Sequence, residues 1–153
     1  MAIALAELID PRQVELNLRA RTQADAMREL ADVLAAAGRI EKVDRFLDEL
    51  RAREATNSTY AADGIAFPHA RTKLVDEIVL AIGRSEGGIA WTSKGEIAHL
   101  IFLIAVPERL INDYLVVVGA IARITKDRPL RTLLLHAENV KEFVSTLLSA
   151  PSI

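Results

Sequence analysis

Residues 97–106 read IAHLIFLIAV and form the longest apolar run in the chain, interrupted only by His99. A run that is apolar at both odd and even positions is typical of a strand that is covered on both faces of a sheet. The run is far shorter than the ~20 apolar residues that a membrane-spanning helix needs. We therefore predict a buried central strand here, and no insertion into a membrane.

Two further strands are predicted earlier in the chain. Residues 64–68 form a short strand that is ended by Pro68, and residues 77–85 form a second one. Glycines mark turns at 86–88 and at 93–95, between the second strand and the apolar run.

Helical patterns lie on both sides of this strand region. Thr22, with Asp25 three residues later, predicts the capped start of a helix, and Gly38 suits the C′ position just after its end. An amphipathic helix with apolar residues from 40 to 50 follows. After the apolar strand we predict a helix capped by Asn112 or Asp113, a short one that begins near Pro129, and a last one over residues 140–148. This order favours one α/β domain over residues 1–153, with a mixed sheet flanked by helices and a frayed tail at 150–153.

The charge balance and the amino-acid usage exclude several classes of protein. The net charge is -2, and basic residues alternate with acidic ones, whereas a nucleic-acid-binding domain needs a clustered basic surplus. There is no cysteine, so disulfides, thiol nucleophiles and cysteine metal ligands are excluded. The apolar N-terminus has no basic segment before it and is followed by Glu7 and Asp10, which does not fit a signal peptide. We expect a cytoplasmic protein.

Three histidines are the candidate nucleophiles, because imidazole titrates near pH ~6.5. His69 follows Pro68 at the predicted strand end, where the ligand sites of open α/β sheets concentrate. From spacing alone, His69 is either a functional residue or a histidine that merely caps a strand end. His99 lies in the apolar strand and His136 near a predicted helix C-terminus, so both are interpreted as structural.

The segment from Arg53 to Arg71 contains further groups that suit an anion. A guanidinium matches the oxygens of a phosphate, and the hydroxyls at 58 and 59 would complete such a site. The alternative is that Arg53 is an exposed cation at a helix end. No histidine pair has the spacing of a metal site, no serine lies in a nucleophile elbow, and the glycines from Gly83 to Gly88 lack the spacing of a dinucleotide fingerprint. Hydrolase and dehydrogenase functions therefore have little support.

Taken together, the segments REA (53–55), ST (58–59) and GIAFPHAR (64–71) resemble the enzyme IIA domains of the fructose/mannitol type. These domains belong to the bacterial phosphoenolpyruvate-dependent sugar phosphotransferase system, and the type includes a stand-alone nitrogen-related regulatory branch. AIGR (81–84), GIAW (88–91) and IFLIAVP (101–107) are similar to later segments of the same family. The resemblance covers nearly the whole chain and implies the fructose/mannitol-type enzyme IIA fold.

The resemblance also implies a phosphotransfer function for His69. This histidine would accept a phosphoryl group from an HPr-type phosphocarrier and pass it to an enzyme IIB domain or to a regulated target protein. The chain would thus be a component of the phosphotransferase system and not a complete enzyme by itself. Arg53 matches the family arginine that stabilises the transferred charge, and Thr59 matches a threonine that donates a hydrogen bond. The resemblance implies no cofactor and no metal.

One position departs from the family pattern. The family usually has a second active-site histidine on the helix after the apolar strand, and Tyr114 stands at the matching place. Its hydroxyl donates a hydrogen bond, but with an ordinary pKa near ~10 it is no near-neutral acid or base. We therefore include Tyr114 in the candidate site and leave two functions open: a phosphocarrier for sugar transport or regulation, and a phosphotransfer-deficient interaction module of the same fold.

We expect the regulatory version of the phosphocarrier, because the chain ends without a fused IIB or membrane domain. A metal-dependent hydrolase is a more distant alternative.

Overall fold

The apolar run lies at the centre of a six-stranded mixed sheet in a computed structural model that describes residues 5–149. The strands are β1 (Val14–Glu15), β2 (Tyr60–Ala62), β3 (Ile65–Ala66), β4 (His69–Thr72), β5 (Val79–Ala90) and β6 (Ile97–Pro107). Their order is β1-β5-β6-β3-β2, and β4 also pairs with β6. β6 is antiparallel to β5 and parallel to β3 and β4.

Five helices cover the two faces of this sheet. They are α1 (Gln23–Ala36), α2 (Val43–Thr56), α3 (Ile111–Lys126), α4 (Arg128–His136) and α5 (Val140–Leu148). Phe102 and Ile104 of β6 pack on the side of α3, α4 and α5, whereas Leu103 and Ala105 pack on the side of α1 and α2. The alternation follows from the pleat of a strand, which points successive side chains to opposite faces. It confirms the α/β domain with a mixed, helix-flanked sheet and a doubly covered central strand.

β3 and β4 are two pieces of one strand that is interrupted at Pro68. Ile65 pairs with Leu100 and His69 with Ile104, so both pieces keep the same register on β6. Proline has no N–H to donate, but its carbonyl still accepts a hydrogen bond from Ile104 N at 2.9 Å. The prediction that Pro68 ends the strand is therefore wrong: the strand resumes at His69, and β4 was missed.

The turn predicted at residues 86–88 is also wrong, because β5 runs through these residues to Ala90. The register against β6 shifts between Arg84 and Ile89, so the glycines form a bulge within the strand. Gly88 has φ +82°, and a Cβ atom there would collide with the side chains of Ile97 and His99. The second predicted turn is present, with Gly95 N donating to Thr92 O at 2.9 Å.

Several helix ends follow the sequence, and one departs from it. Thr22 caps α1 by accepting a hydrogen bond from Asp25 N, and Pro129 lies in the first turn of α4, both as predicted. The predicted capping by Asn112 or Asp113 is wrong. Both residues lie inside α3, whose cap position is Leu110, because a 3₁₀ turn over Glu108–Leu110 leads directly into the helix.

Arg84 of β5 joins the sheet to the end of α4. Its Nη1 donates to the carbonyl oxygens of Leu134, Leu135 and Ala137 at 2.9, 3.3 and 2.8 Å, and its Nε donates to Leu16 O at 3.3 Å. The last carbonyls of a helix have no partner within the helix, and a cation suits the negative end of its dipole. One partly buried guanidinium therefore satisfies the end of α4.

Across residues 5–149, none of the helices combines the length and the apolar character needed to cross a bilayer. The frayed tail expected at residues 150–153 lies outside the described residues.

Candidate functional site

His69 is held at the start of β4 by the backbone that surrounds it. Its own pairing with Ile104 and the hydrogen bond from Ile104 N to Pro68 O fix the chain on both sides of its Cα atom. The ring is half-buried, because α2 lies on one face of the sheet and α3 on the other. A side chain on such a framework has few orientations to choose from.

The two nitrogens of the His69 ring have different environments. Nδ1 lies 2.9 Å from the carbonyl oxygen of Phe67, which only accepts, so Nδ1 carries the hydrogen and Nε2 carries a free electron pair. Burial lowers the pKa of His69, and the charge of Arg53 lowers it further, while the Phe67 carbonyl and the charge of Glu54 act in the opposite direction. The net result is a neutral imidazole with its nucleophilic atom at Nε2.

Tyr114 of α3 packs against this ring. The two ring centroids are 4.7 Å apart and tilted by 36°, and the tyrosine oxygen lies 3.0 Å from Nε2 and 3.1 Å from Nδ1. The in-plane directions of the two nitrogens diverge, so an oxygen nearly equidistant from both lies above the ring plane and off the axis of the Nε2 electron pair. Burial raises the pKa of Tyr114, so its hydroxyl stays protonated.

Arg53, in the last turn of α2, reaches the same site from the other face of the sheet. Its Nη1 donates to Asn57 O at 2.8 Å, which holds the guanidinium over the loop after α2. Arg53 and His69 line one cleft of about 390 Å³ together with Glu49, Ala70 and the exposed Arg71. The cleft thus combines a neutral nucleophile with two cations and one carboxylate, that of Glu49, which accepts a hydrogen bond from Thr72 Oγ1 at 2.7 Å. The two guanidinium groups leave a net positive charge, which suits a phosphoryl group.

Thr59 is placed differently from the other three predicted residues. It is buried just before β2, and its backbone N–H donates to Glu54 Oε2 at 2.8 Å. Its hydroxyl donates to Glu54 Oε1, so the hydroxyl hydrogen is directed to this carboxylate. The structure therefore packs Tyr114 on His69, places Arg53 with His69 along one cleft, and connects Thr59 to the site through Glu54 and the backbone.

Sequence reasoning missed two residues of this region. Arg71 lies two residues after His69 on β4, and the period of a strand places such residues on one side, a signal that was available. Glu54 is an acidic residue with only 8% of its surface exposed. It lies four residues after Leu50 and seven after Leu47, so the helical period places it on the buried face of α2, and this signal was available as well.

The other two histidines lie where the sequence placed them. Nδ1 of His99 donates to Ser85 O at 2.9 Å, and Nδ1 of His136, the last residue of α4, donates to Thr132 O at 2.9 Å. In the part of the chain that the structure describes, no three or more histidine, aspartate or glutamate side chains are grouped as a metal site.

Comparison with known proteins identifies the family and agrees with this fold. The family described as the phosphoenolpyruvate-dependent sugar phosphotransferase system, EIIA 2, matches residues 7–150. The chain belongs to this family, the enzyme IIA domains of the fructose/mannitol type. It is therefore a phosphotransferase-system component of the EIIA class.

Two relatives and one solved structure illustrate the family. The chain is 34% identical, over 84% of its length and 83% of the relative's, to the fructose-specific EIIA component of Haloferax volcanii. It is 31% identical over 88% of its length to the fructose-specific EIIABC component of Bacillus subtilis, of which it spans only 21%. The nitrogen regulatory protein IIA-Ntr of Neisseria meningitidis has the same fold, with a TM-score of 0.84, 22% identity, and coverage of 94% of this chain and 98% of that one.

Proposed function

We propose that the chain is a phosphocarrier that accepts a phosphoryl group on Nε2 of His69 and passes it on. The observation that carries the proposal is the bond from Nδ1 to the Phe67 carbonyl, which leaves the electron pair on Nε2 of a ring that lines one cleft with Arg53. The donor is the phosphohistidine of an HPr-type carrier. A bond forms between Nε2 and phosphorus as the bond between phosphorus and the donor nitrogen breaks, and the electron pair of that bond stays on the donor ring.

The surrounding residues stabilise the charge that is transferred. Phosphoryl transfer involves little covalent chemistry by the protein, so alignment and electrostatic stabilisation dominate its catalysis. Arg53 and Arg71 supply positive charge at the cleft, and the Tyr114 hydroxyl, 3.0 Å from Nε2, donates a hydrogen bond to an oxygen of the bound phosphoryl group. The proposal also includes Thr59, which acts indirectly because its hydroxyl donates to Glu54.

The acceptor is an enzyme IIB domain or a regulated target protein, and the proposed location is the cytoplasm. The Bacillus subtilis relative is named as an EIIABC component, which supports a IIB acceptor. The Neisseria meningitidis protein is named as nitrogen regulatory, which supports a regulatory use of the same phosphohistidine. Both uses share the first step, so one experiment tests it.

The test is incubation with an HPr-type carrier that has been phosphorylated by phosphoenolpyruvate and enzyme I. We expect intact-mass spectrometry to show the gain of one phosphoryl group, and the gain to be absent in His69→Ala. His136→Ala is the matched control, because this exposed histidine lies at the end of α4 and should leave the gain unchanged. The absence of any gain with several HPr-type donors would refute the proposal.

A second function is favoured by one observation, the Tyr114 hydroxyl above the His69 ring. In this alternative the chain is a regulatory interaction module that has lost phosphotransfer. It predicts that wild-type protein and His69→Ala bind the same partners with the same affinity. Partner binding that changes when His69 is phosphorylated would exclude this alternative.

A further inference from the structure

A chain of hydrogen bonds runs from Glu54 to the reactive ring. The Glu54 carboxylate accepts the backbone N–H and the hydroxyl of Thr59. The carbonyl of Thr59 accepts Phe67 N–H at 3.0 Å, and the carbonyl of Phe67 accepts Nδ1–H of His69 at 2.9 Å. Each member of the chain positions the next one.

Phe67 connects Thr59 to His69 within this chain of hydrogen bonds. The following proline restricts Phe67 to extended geometry, and the hydrogen bond to Thr59 fixes its N–H. With both of its dihedral angles constrained, Phe67 presents its carbonyl oxygen to Nδ1 in one direction only. Thr59 reaches Phe67 because β2 starts at the next residue and pairs with β3.

Glu54 is a buried carboxylate whose two hydrogen-bond donors both belong to Thr59. A carboxylate that is only 8% exposed is unfavourable unless donors surround it, and both donors here come from one residue of the loop after α2. The preceding helical residue, Arg53, binds the same loop through Asn57 O. The end of α2 therefore holds the loop at two points, residues 57 and 59.

We propose that Glu54 is a positioning residue for phosphotransfer: through Thr59 and Phe67 it holds the His69 ring with hydrogen on Nδ1 and the electron pair on Nε2. The inference rests on the proposed function for its effect on rate, but its effect on the ring is independent of any donor. Glu54 does not touch the reacting atoms. Its loss should release the loop, turn the Phe67 carbonyl and let the ring exchange the two nitrogens.

The direct measurement is the tautomer of His69 in the unphosphorylated protein. Long-range proton–nitrogen NMR spectra of protein labelled with nitrogen-15, recorded above the pKa of the ring, distinguish a protonated nitrogen from a free one. We expect Nδ1 to be protonated in the wild type and Nε2 to be free. In Glu54→Ala the two signals should move toward each other, because both tautomers become populated.

The kinetic measurement is single-turnover phosphorylation by a phosphorylated HPr-type carrier, with the affinity for that carrier measured separately. A misplaced nucleophile costs rate and not binding, so the rate constant of Glu54→Ala should fall by about tenfold or more while the dissociation constant stays unchanged. Asp48→Asn is the matched control, since it also removes a carboxylate from α2 but at an exposed position. It should keep the wild-type tautomer and rate.

A second pair of variants covers the case in which Glu54→Ala does not fold. Thr59→Val removes the hydroxyl donor with little change of shape, and Thr59→Ser keeps it. We expect Thr59→Val to shift the tautomer and lower the rate, and Thr59→Ser to restore both. If Thr59→Val lowers the rate without moving the tautomer, Thr59 acts on the phosphoryl group directly and the proposal is overturned.

Two further outcomes are decisive. A wild-type ring with hydrogen on Nε2, or a Glu54→Ala variant indistinguishable from Asp48→Asn in both measurements, would overturn the positioning role. If no HPr-type donor phosphorylates the wild type but the tautomer responds to Glu54→Ala as expected, the proposed function fails and the positioning of the ring stands.

Discussion

Replacing Tyr114 by phenylalanine removes one oxygen from the candidate site and leaves the ring packing on His69 in place. That oxygen lies 3.0 Å from Nε2, above the ring, within reach of the oxygens of a phosphoryl group bound to Nε2. A hydrogen bond to a charged group contributes about 1.5–3 kcal/mol. If the bond is made in the transition state, its loss slows phosphorylation by about 10- to 150-fold.

The assay is rapid-quench measurement of single-turnover phosphorylation by a phosphorylated HPr-type carrier. Tyr114→His provides the comparison, because it installs the residue that the family pattern has at this position. A Tyr114→Phe variant that reacts as fast as the wild type would refute the reasoning, since the hydroxyl would then have no part in the transfer. Urea unfolding of the same variant separates a change of rate from a change of stability.

Three further predictions follow from the structure. Burial lowers the pKa of His69 below its ordinary value of 6.5, and a protonated Nε2 has no electron pair to give. The phosphorylation rate should therefore fall on acidification, with a midpoint below pH 6.5. A rate profile measured from about pH 5 to 8 that has a higher midpoint would contradict this. Arg84→Ala leaves three carbonyls at the end of α4 without their donor. It should lower the free energy of unfolding by about 2–4 kcal/mol in urea titrations. An unchanged urea midpoint would contradict a stabilising role of Arg84. Gly88→Ala places a Cβ at φ +82° against Ile97 and His99 and should cost about 2–4 kcal/mol in thermal unfolding, whereas Gly87→Ala, with open space around its Cβ position, should cost less.

The sign of the His69 effect on stability follows from the same shift. The unfolded chain takes up the proton near the ordinary pKa of 6.5, and the folded chain takes it up only at lower pH. Protonation therefore favours the unfolded state, and the contribution of His69 to stability is lost as the pH falls below about 6.5. His69→Ala should remove this part of the pH dependence in urea titrations.

Much of the fold could be predicted because its signals are local. The cap at Thr22, the proline in the first turn of α4 and the apolar run of β6 each depend on residues that are neighbours in sequence. The predicted end of the strand at Pro68 is wrong because this feature does not depend on local residues alone. A proline removes one donor, but whether the strand then ends or resumes depends on whether β6 continues beside it.

The bulge at Gly88 is a feature that local sequence signals do not predict. A glycine with positive φ serves a turn and a bulge equally well, and only the register of the partner strand distinguishes them. Glu54 is a mixed case in the site, because the helical period places it on the buried face of α2, whereas its partner Thr59 lies in a loop that folds back onto the helix. His69 was accessible from the sequence because its motif is contiguous, whereas the contact of Tyr114 with its ring joins residues 45 positions apart.

The pairing of both β3 and β4 with β6 has a consequence for how partners gain access to His69. Amide hydrogens in a doubly covered central strand exchange with solvent only through large-scale opening, and the Ile104 amide bonded to Pro68 O belongs to this strand. The backbone under the imidazole is thus anchored to the most protected element of the sheet. The phosphoryl donor and acceptor that we propose would therefore meet a preformed surface around this ring.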